Sequence, residues 1–350
     1  MTRVACIDIG TVTARLAVAD VSGGRVARMG KQSQICNLGE GVDATHRLSQ
    51  DAMERVYAAA AAYVGAAAKA GCQGICCTLT SAARDAENSA ELGAALASLG
   101  LEPMVIPGEV EGALTFLGVA QDFGGQKILV ADNGGGSTEL AMGSLNDGVL
   151  DLGFVRSVDV GCRRLTDKFF SAPELPSQAD LAAAHEFASS LFGPAVEQGG
   201  LRASTSGDDA SSDGAPTRLV VCGGTVTTMV ALNLALDPYD PSRVHLASLS
   251  RQQVEAIEEK LAGLTVEQRA GLSGIQAKRA PVILGGVTAV LELMRQTGFD
   301  QLTVSESDLL FGLSLAAAAT LEGQPSPVVW KPAMRPLPKL EDVTPMGEGK

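Results

Sequence analysis

The narrowest limit on the fold of this chain is a repeated junction, an apolar strand that ends on aspartate and breaks into a glycine turn. The first copy is Cys6-Ile7-Asp8-Ile9-Gly10-Thr11. The second is Val130-Ala131-Asp132-Asn133-Gly134-Gly135-Gly136-Ser137-Thr138-Glu139. A strand-like run follows each, at 15–20 and at 139–142. Two junctions of one design, separated by about the length of a small domain, point to an internal duplication of topology. The expected fold class is α/β, with two similar domains facing each other across a cleft. The expected division is 1–124 and 125–321, with the boundary near Gly124-Gly125.

Periodicity fills in the rest. Strands are predicted at 4–8, 74–80, 102–106, 127–132 and 150–158. Helices are predicted at 49–70, where Met53, Val56, Tyr57, Ala60 and Val64 recur at helical spacing, and at 91–98 and 110–120. Ser250 and Gln253 form a capping box ahead of a helix with Val254, Ile257, Leu261 and Leu264 as its apolar stripe. Residues 198–217 are rich in Gly, Ser, Asp and Ala and read as a flexible surface insertion. Residues 322–350 are proline-rich and read as a disordered tail.

Composition removes several function classes. The chain has 350 residues, 46% of them apolar, and a net charge of −13. An acidic chain lacks the basic footprint of a nucleic-acid binder. No apolar run is long enough for a transmembrane helix, and no leader pattern opens the chain, so a cytoplasmic protein is expected. Seven cysteines without a framework fit a reducing compartment. Three scattered histidines and no CxxC argue against zinc.

The second junction carries the clearest chemistry. Gly134, Gly135 and Gly136 bring backbone amides close to an anion, and Ser137 and Thr138 add hydroxyls. Asp132 and Glu139 are hard oxygen ligands of the kind Mg²⁺ takes. No lysine follows the glycines, which excludes a P-loop. A strand rather than a helix follows them, which excludes a dinucleotide fingerprint. A third glycine turn, Cys222-Gly223-Gly224-Thr225-Val226-Thr227-Thr228, repeats the pattern. Glu109 and Glu111 both stand at the entry to a helix, and spacing alone leaves either eligible as a general base. Arg84 is a candidate phosphate contact. Arg163, Arg164, Lys278 and Arg279 are further cations, with solvated surface charge as the default for each.

Taken together these segments resemble the exopolyphosphatase/guanosine pentaphosphate phosphohydrolase family, Ppx/GppA, of the actin, sugar kinase and Hsp70 ATPase superfold. The matching stretches are 7–11, 80–86, 108–111, 132–140, 161–166, 223–228 and 278–286, in the family's order. The resemblance implies two ribonuclease-H-like domains with an active-site cleft between them. It implies Glu111 as general base, with Asp132 and Glu139 organising Mg²⁺ and the attacking water and Asp8 helping to hold the metal. It implies phosphate binding by Gly10, Thr11, Thr13, Arg84, Gly134–Thr138, Gly224 and Thr225. It also implies a short member without extra C-terminal helical domains. Two positions depart from the family pattern. Val12 stands where an asparagine is usual, and Asn133 stands where an aliphatic residue is usual.

The expected activity is Mg²⁺-dependent release of terminal phosphate from inorganic polyphosphate. Guanosine pentaphosphate is the alternative substrate, a kinase of the same superfold is a second alternative, and a non-catalytic polyphosphate or alarmone sensor is the non-enzymatic one. Partners are expected to be the substrate alone, without nucleic acid or membrane. The oligomeric state is left open, with a homodimer among the options.

Overall fold

The computed structural model describes residues 1–171, 175–203 and 214–337. Its first half runs β1 (Thr2–Ile9), β2 (Thr13–Ser22), β3 (Arg25–Ile35), α1 (Val42–Thr45), α2 (Gln50–Lys69), β4 (Gly74–Leu79), α3 (Ser81–Asp85), α4 (Ser89–Ala97), β5 (Pro103–Val105) and α5 (Gly108–Ala120). The second runs β6 (Ile128–Asn133), β7 (Thr138–Asn146), β8 (Val149–Val158), α6 (Cys162–Phe169), α7 (Gln178–Gly199), β9 (Leu219–Cys222), α8 (Gly224–Asn233), α9 (Pro241–Val244), β10 (Ser248–Ser250), α10 (Arg251–Ala262), α11 (Val266–Ala270), α12 (Ile283–Thr297), β11 (Gln301–Val304) and α13 (Leu309–Leu321).

The duplication is visible in the sheets. The first has the order β3-β2-β1-β4-β5, and the second has β8-β7-β6-β9-β11 with β10 added at the edge. In both, the opening strand pairs antiparallel with the next and parallel with the one after a helical crossover. This is the expected two-domain α/β fold. Each Asp-x-Gly turn lies at the end of a central strand, where ligands collect in such sheets.

Two helices join the halves. Helix α5 packs on β6, β7 and β8, α13 packs on β1 and β2, and the two helices pack on each other. The layers therefore run sheet, helix, helix, sheet. One apolar core takes Val4 and Cys6 from β1, Leu114 and Phe116 from α5, Val130 from β6, and Leu310 and Leu313 from α13. Glycine makes the helix crossing close. A Cβ on Gly312 would lie 1.8 Å from the Leu114 carbonyl oxygen.

Helix α13, expected with the second domain, lies against the first sheet. The expected disordered tail also needs correction. Val328 is buried, Trp330 and Met334 pack on the shared core, and Arg335 exchanges two backbone hydrogen bonds with Ile75, at 2.9 and 2.8 Å. These apolar residues between the prolines tie the segment down. Residues 338–350 lie outside the described residues.

The expected surface insertion is likewise ordered at its start. Gln198 and Gly199 complete α7, and Leu201 is fully buried. Its centre, 204–213, lies outside the described residues. Strand β3 was not expected. It is an edge strand with almost every side chain exposed, so it carries no apolar alternation. No helix among the described residues is long and apolar enough to cross a membrane.

Candidate active site

The first turn is a tight hairpin closed by Gly10 N–H donating to Thr13 O at 3.0 Å. Its register sets Arg15 directly across from Asp8. Arg15 Nε and Nη2 donate to Asp8 Oδ2 at 3.0 and 2.7 Å, and Nη1 donates to Asp308 Oδ2 at 2.8 Å. Asp308 in turn caps α13, accepting from the Leu310 amide. Burial pushes the Asp8 carboxyl up and outweighs Arg15. Asp308 is held below the usual carboxylate range because Lys31 and Arg15 outweigh its burial.

In the second turn the glycines act by absence of bulk. A Cβ on Gly135 would lie 2.6 Å from Thr11 Cβ, and one on Gly136 would lie 2.3 Å from Ser81 Oγ. The two turns thus pack face to face, with α3 alongside. The carbonyls of Gly134 and Gly135 accept from the amides of Cys162, Arg163 and Arg164 at the start of α6. The amides of Gly135, Gly136 and Ser137 find no main-chain acceptor among the described residues.

The third turn enters α8 through Gly223, whose φ of 105° is a left-handed conformation suited to glycine. Gly224 makes room for Arg279, because a Cβ there would lie 2.2 Å from Nη1. Arg279 has no carboxylate within ion-pair distance among the described residues, and burial lowers its pKa.

Helix α5 brings Glu111 to this centre. Gly108 lets its first turn lie against β8, since a Cβ there would sit 2.2 Å from Ser157 Cβ. Arg84 then bridges two acids: Nη1 donates to Glu111 Oε2 at 2.7 Å, and Nη2 lies 3.5 Å from Glu139 Oε1. The Ser137 and Ser157 hydroxyls also donate to Glu139 Oε1, each at 2.7 Å.

Burial, then the charge of Glu139, pushes Glu111 well above the usual carboxylate range against the pull of Arg84. Glu139 is raised to about 7 by burial and by Asp132. Asp132 is raised to about 6, chiefly by burial, with Arg15 opposing; one of its oxygens accepts from Thr115 Oγ1 at 3.1 Å.

A cavity of about 580 Å³ opens between the two lobes. Its walls include Asp8, Gly10, Thr11, Thr13, Glu111, Asp132, Gly134–Ser137, Gly224 and Thr225. A buried carboxylate with a raised pKa, unbonded amides and an unpaired arginine around one cavity are the parts of a phosphoryl-transfer site.

Residues 17–316 match the Ppx/GppA phosphatase family. The chain belongs to that family. It is 34% identical to exopolyphosphatase 2 of Mycobacterium tuberculosis over 91% of this chain and 99% of that one. It is 27% identical to a guanosine-5′-triphosphate,3′-diphosphate pyrophosphatase of Photobacterium profundum over 88% of this chain and 58% of that one. The crystal structure of an exopolyphosphatase-like protein superposes with a TM-score of 0.79 at 30% identity, covering 92% of this chain and 99% of its own. As a Ppx/GppA protein the chain is a hydrolase of phosphoanhydride bonds.

Most of the expected residues converge on the Ppx/GppA cleft, and three stand behind its wall. Thr138 is fully buried and donates to Val160 O at 2.6 Å, so its hydroxyl is used within the fold. Arg84 faces carboxylates rather than the cavity. Glu139 is absent from the cavity wall and accepts from Ser137, Ser157 and Arg84. Glu109 is exposed and Glu111 is buried on the cavity wall.

The sequence reading missed Arg15 and Asp308. Arg15 had a signal, since a tight hairpin about residues 10–13 sets it opposite Asp8. Asp308 had none, because only the return of α13 brings it near. Val12, the family departure in the first turn, packs in a small apolar cluster with Cys162 and Val282. Asn133 donates to Thr138 Oγ1 at 3.1 Å, and its buried Oδ1 has no partner among the described residues.

Proposed function

We propose that this protein is an exopolyphosphatase that removes the terminal phosphate of inorganic polyphosphate, with Glu111 as general base. The observation that carries the reading is Glu111 itself, a buried carboxylate with its proton affinity raised, on the same cavity wall as amides left free for an anion. Water attacks the terminal phosphorus and gives its proton to Glu111. The new P–O bond forms as the bridging P–O bond breaks, and the shortened chain departs with the charge of that oxygen. Arg84 fixes the Glu111 carboxylate and favours its ionised form before attack. The free amides of the second turn and the start of α8 stabilise charge on the phosphate oxygens.

Asp8 and Asp132 both line the cavity, and Mg²⁺ takes one or two carboxylates and fills its other positions with water and substrate phosphate. Asp132 would hold it, with Asp8 beside it and Glu139 acting from behind the wall. When bound, the ion would offset charge on the phosphate oxygens and the leaving oxygen.

A second reading, hydrolysis of guanosine pentaphosphate, draws on another part of the cavity lining. There Leu236, Tyr239, Leu272 and Ile275 give an apolar lining beside Arg279, fit for a nucleobase. Phosphate release measured from long-chain polyphosphate and from guanosine pentaphosphate in parallel, with Mg²⁺, separates the two. Faster release from polyphosphate is expected, and release from the nucleotide alone would replace the first reading with the second.

A further inference from the structure

We propose that Arg164 is a positioning residue that aims the amides of the second glycine turn into the cavity and ties that aim to closure of the lobes. This deepens the phosphohydrolase reading above and rests on it. Each of the three guanidinium nitrogens has a partner within the protein. Nε donates to the Gly136 carbonyl at 2.7 Å, Nη1 donates to Asp43 Oδ1 at 2.5 Å, and Nη2 donates to Asp85 Oδ2 at 2.5 Å. Asp159 stands farther off, at 3.8 Å from Nη2. Arg164 is not part of the cavity wall, so it acts on substrate only through what it holds.

What it holds is the last of three aligned peptide groups. In a trans peptide the carbonyl and the N–H point in opposite directions. The Gly134 carbonyl is taken by Cys162 N–H at 3.0 Å, and the Gly135 carbonyl is taken by Arg163 N–H at 2.7 Å and Arg164 N–H at 3.1 Å. The Gly136 carbonyl completes the row on the Arg164 side chain. With all three carbonyls drawn toward α6, the amides of Gly135, Gly136 and Ser137 face the other way, where no main-chain acceptor meets them. Successive free amides of this kind form an anion nest.

The backbone of α6 fixes the first two peptides wherever the lobes stand. The third depends on a side chain whose two remaining arms belong to the first lobe, on α1 and at the end of α3. Lys168 also reaches Asp43, at 2.6 Å, and strengthens the same contact. When the lobes are together, Asp43 and Asp85 hold the guanidinium plane so that Nε meets Gly136. When they part, the Gly136–Ser137 peptide is free to turn, and the nest loses its Ser137 donor. Arg164 thereby restricts a complete phosphate site to the closed cleft.

The test uses the full chain and two readouts: phosphate release from polyphosphate, and calorimetric binding of inorganic tripolyphosphate. Binding is measured in a Glu111→Gln background so that the ligand survives. Arg164→Lys keeps a cation for Asp43 and Asp85 and loses the planar Nε donor. It is expected to keep its melting temperature while kcat/KM falls ~10²-fold, the scale of one lost oxyanion donor. Tripolyphosphate affinity is expected to fall about tenfold, for one lost hydrogen bond to a charged group.

Asp85→Asn is expected to lower kcat/KM about tenfold alone and to add nothing in the Arg164→Lys background, because it acts through Arg164. Multiplying effects in that cycle, or Arg164→Lys with unchanged affinity and turnover, would overturn the proposal. So would a parent protein that does not bind tripolyphosphate. A parent that binds it but releases no phosphate sinks the hydrolase reading instead and leaves the Arg164 effect on binding to be read. Asp85→Asn alone carries the test should Arg164→Lys fail to fold.

Discussion

His185 and Arg84 each sit between a pair of glutamates, and their surroundings put them to opposite uses. His185 on α7 lies 3.2 Å from Glu292 on α12 and 3.1 Å from Glu258 on α10. Every partner there is answered, since Thr288 donates to Glu258 at 2.7 Å and Gln296 donates to Glu292 at 2.7 Å. Burial works against the imidazolium, yet the bonds to the two glutamates carry His185 up to about 9. Glu292 is held below the usual range, as His185 and Gln296 outweigh its burial. This network joins three helices, with Arg295 of α12 at its edge, 3.3 Å from His185 Nδ1 and 3.8 Å from Glu292.

Arg84 bridges Glu111 and Glu139 in the same manner, and both carboxylates are nonetheless raised. The difference is the company. Asp132 and Asp8 crowd the same space, and burial raises all four carboxyls. One network has as many bonds as it needs, and the other is short of positive charge. A deficit of that kind is what a cation and a proton-accepting step would use.

The largest effect expected from breaking this contrast falls on the quiet network. His185→Phe removes the cation between two buried carboxylates, and should cost about 3 kcal/mol in denaturant unfolding. Turnover by the folded enzyme should stay at the parent level. A matching loss of kcat would mean that the two networks are linked.

Asp132→Asn should act in the opposite sense. A carboxylate raised to about 6 from 3.8 binds more protons folded than unfolded, so its ionisation costs stability as pH climbs through that interval. At pH 8 the amide should raise stability by about 1–3 kcal/mol while activity collapses. A destabilised variant would show that the crowding is already relieved.

The third effect is a slope. The raised pKa of His185 gives stability that is complete below its unfolded value of 6.5 and is lost as pH rises through about 9. Melting temperature should decline across that window in the parent and decline less in His185→Phe. Equal slopes would remove His185 from the account.

The centre of the site was legible because its parts are local. A strand, an acid and glycines in a row state their geometry within ten residues, and the repeat announced the two-domain fold. Glu111 became distinct from Glu109 only once the helix was seated, because the exposed neighbour and the buried one share a first turn. Asp308 and Arg164 were illegible for a different reason. Their partners lie far away in sequence, on elements brought together by α13 and by the meeting of the lobes. The proline-rich segment misled because its composition hid three anchoring side chains, Val328, Trp330 and Met334.

The most direct test of the central claim is phosphate release from long-chain polyphosphate with Mg²⁺ by the parent protein beside Glu111→Gln, with folding of both confirmed. The account predicts a ~10²–10⁴-fold fall in kcat, the usual worth of a general base, with KM little changed. A variant that stays within about tenfold of the parent would contradict it, because the proton would then be leaving by another route.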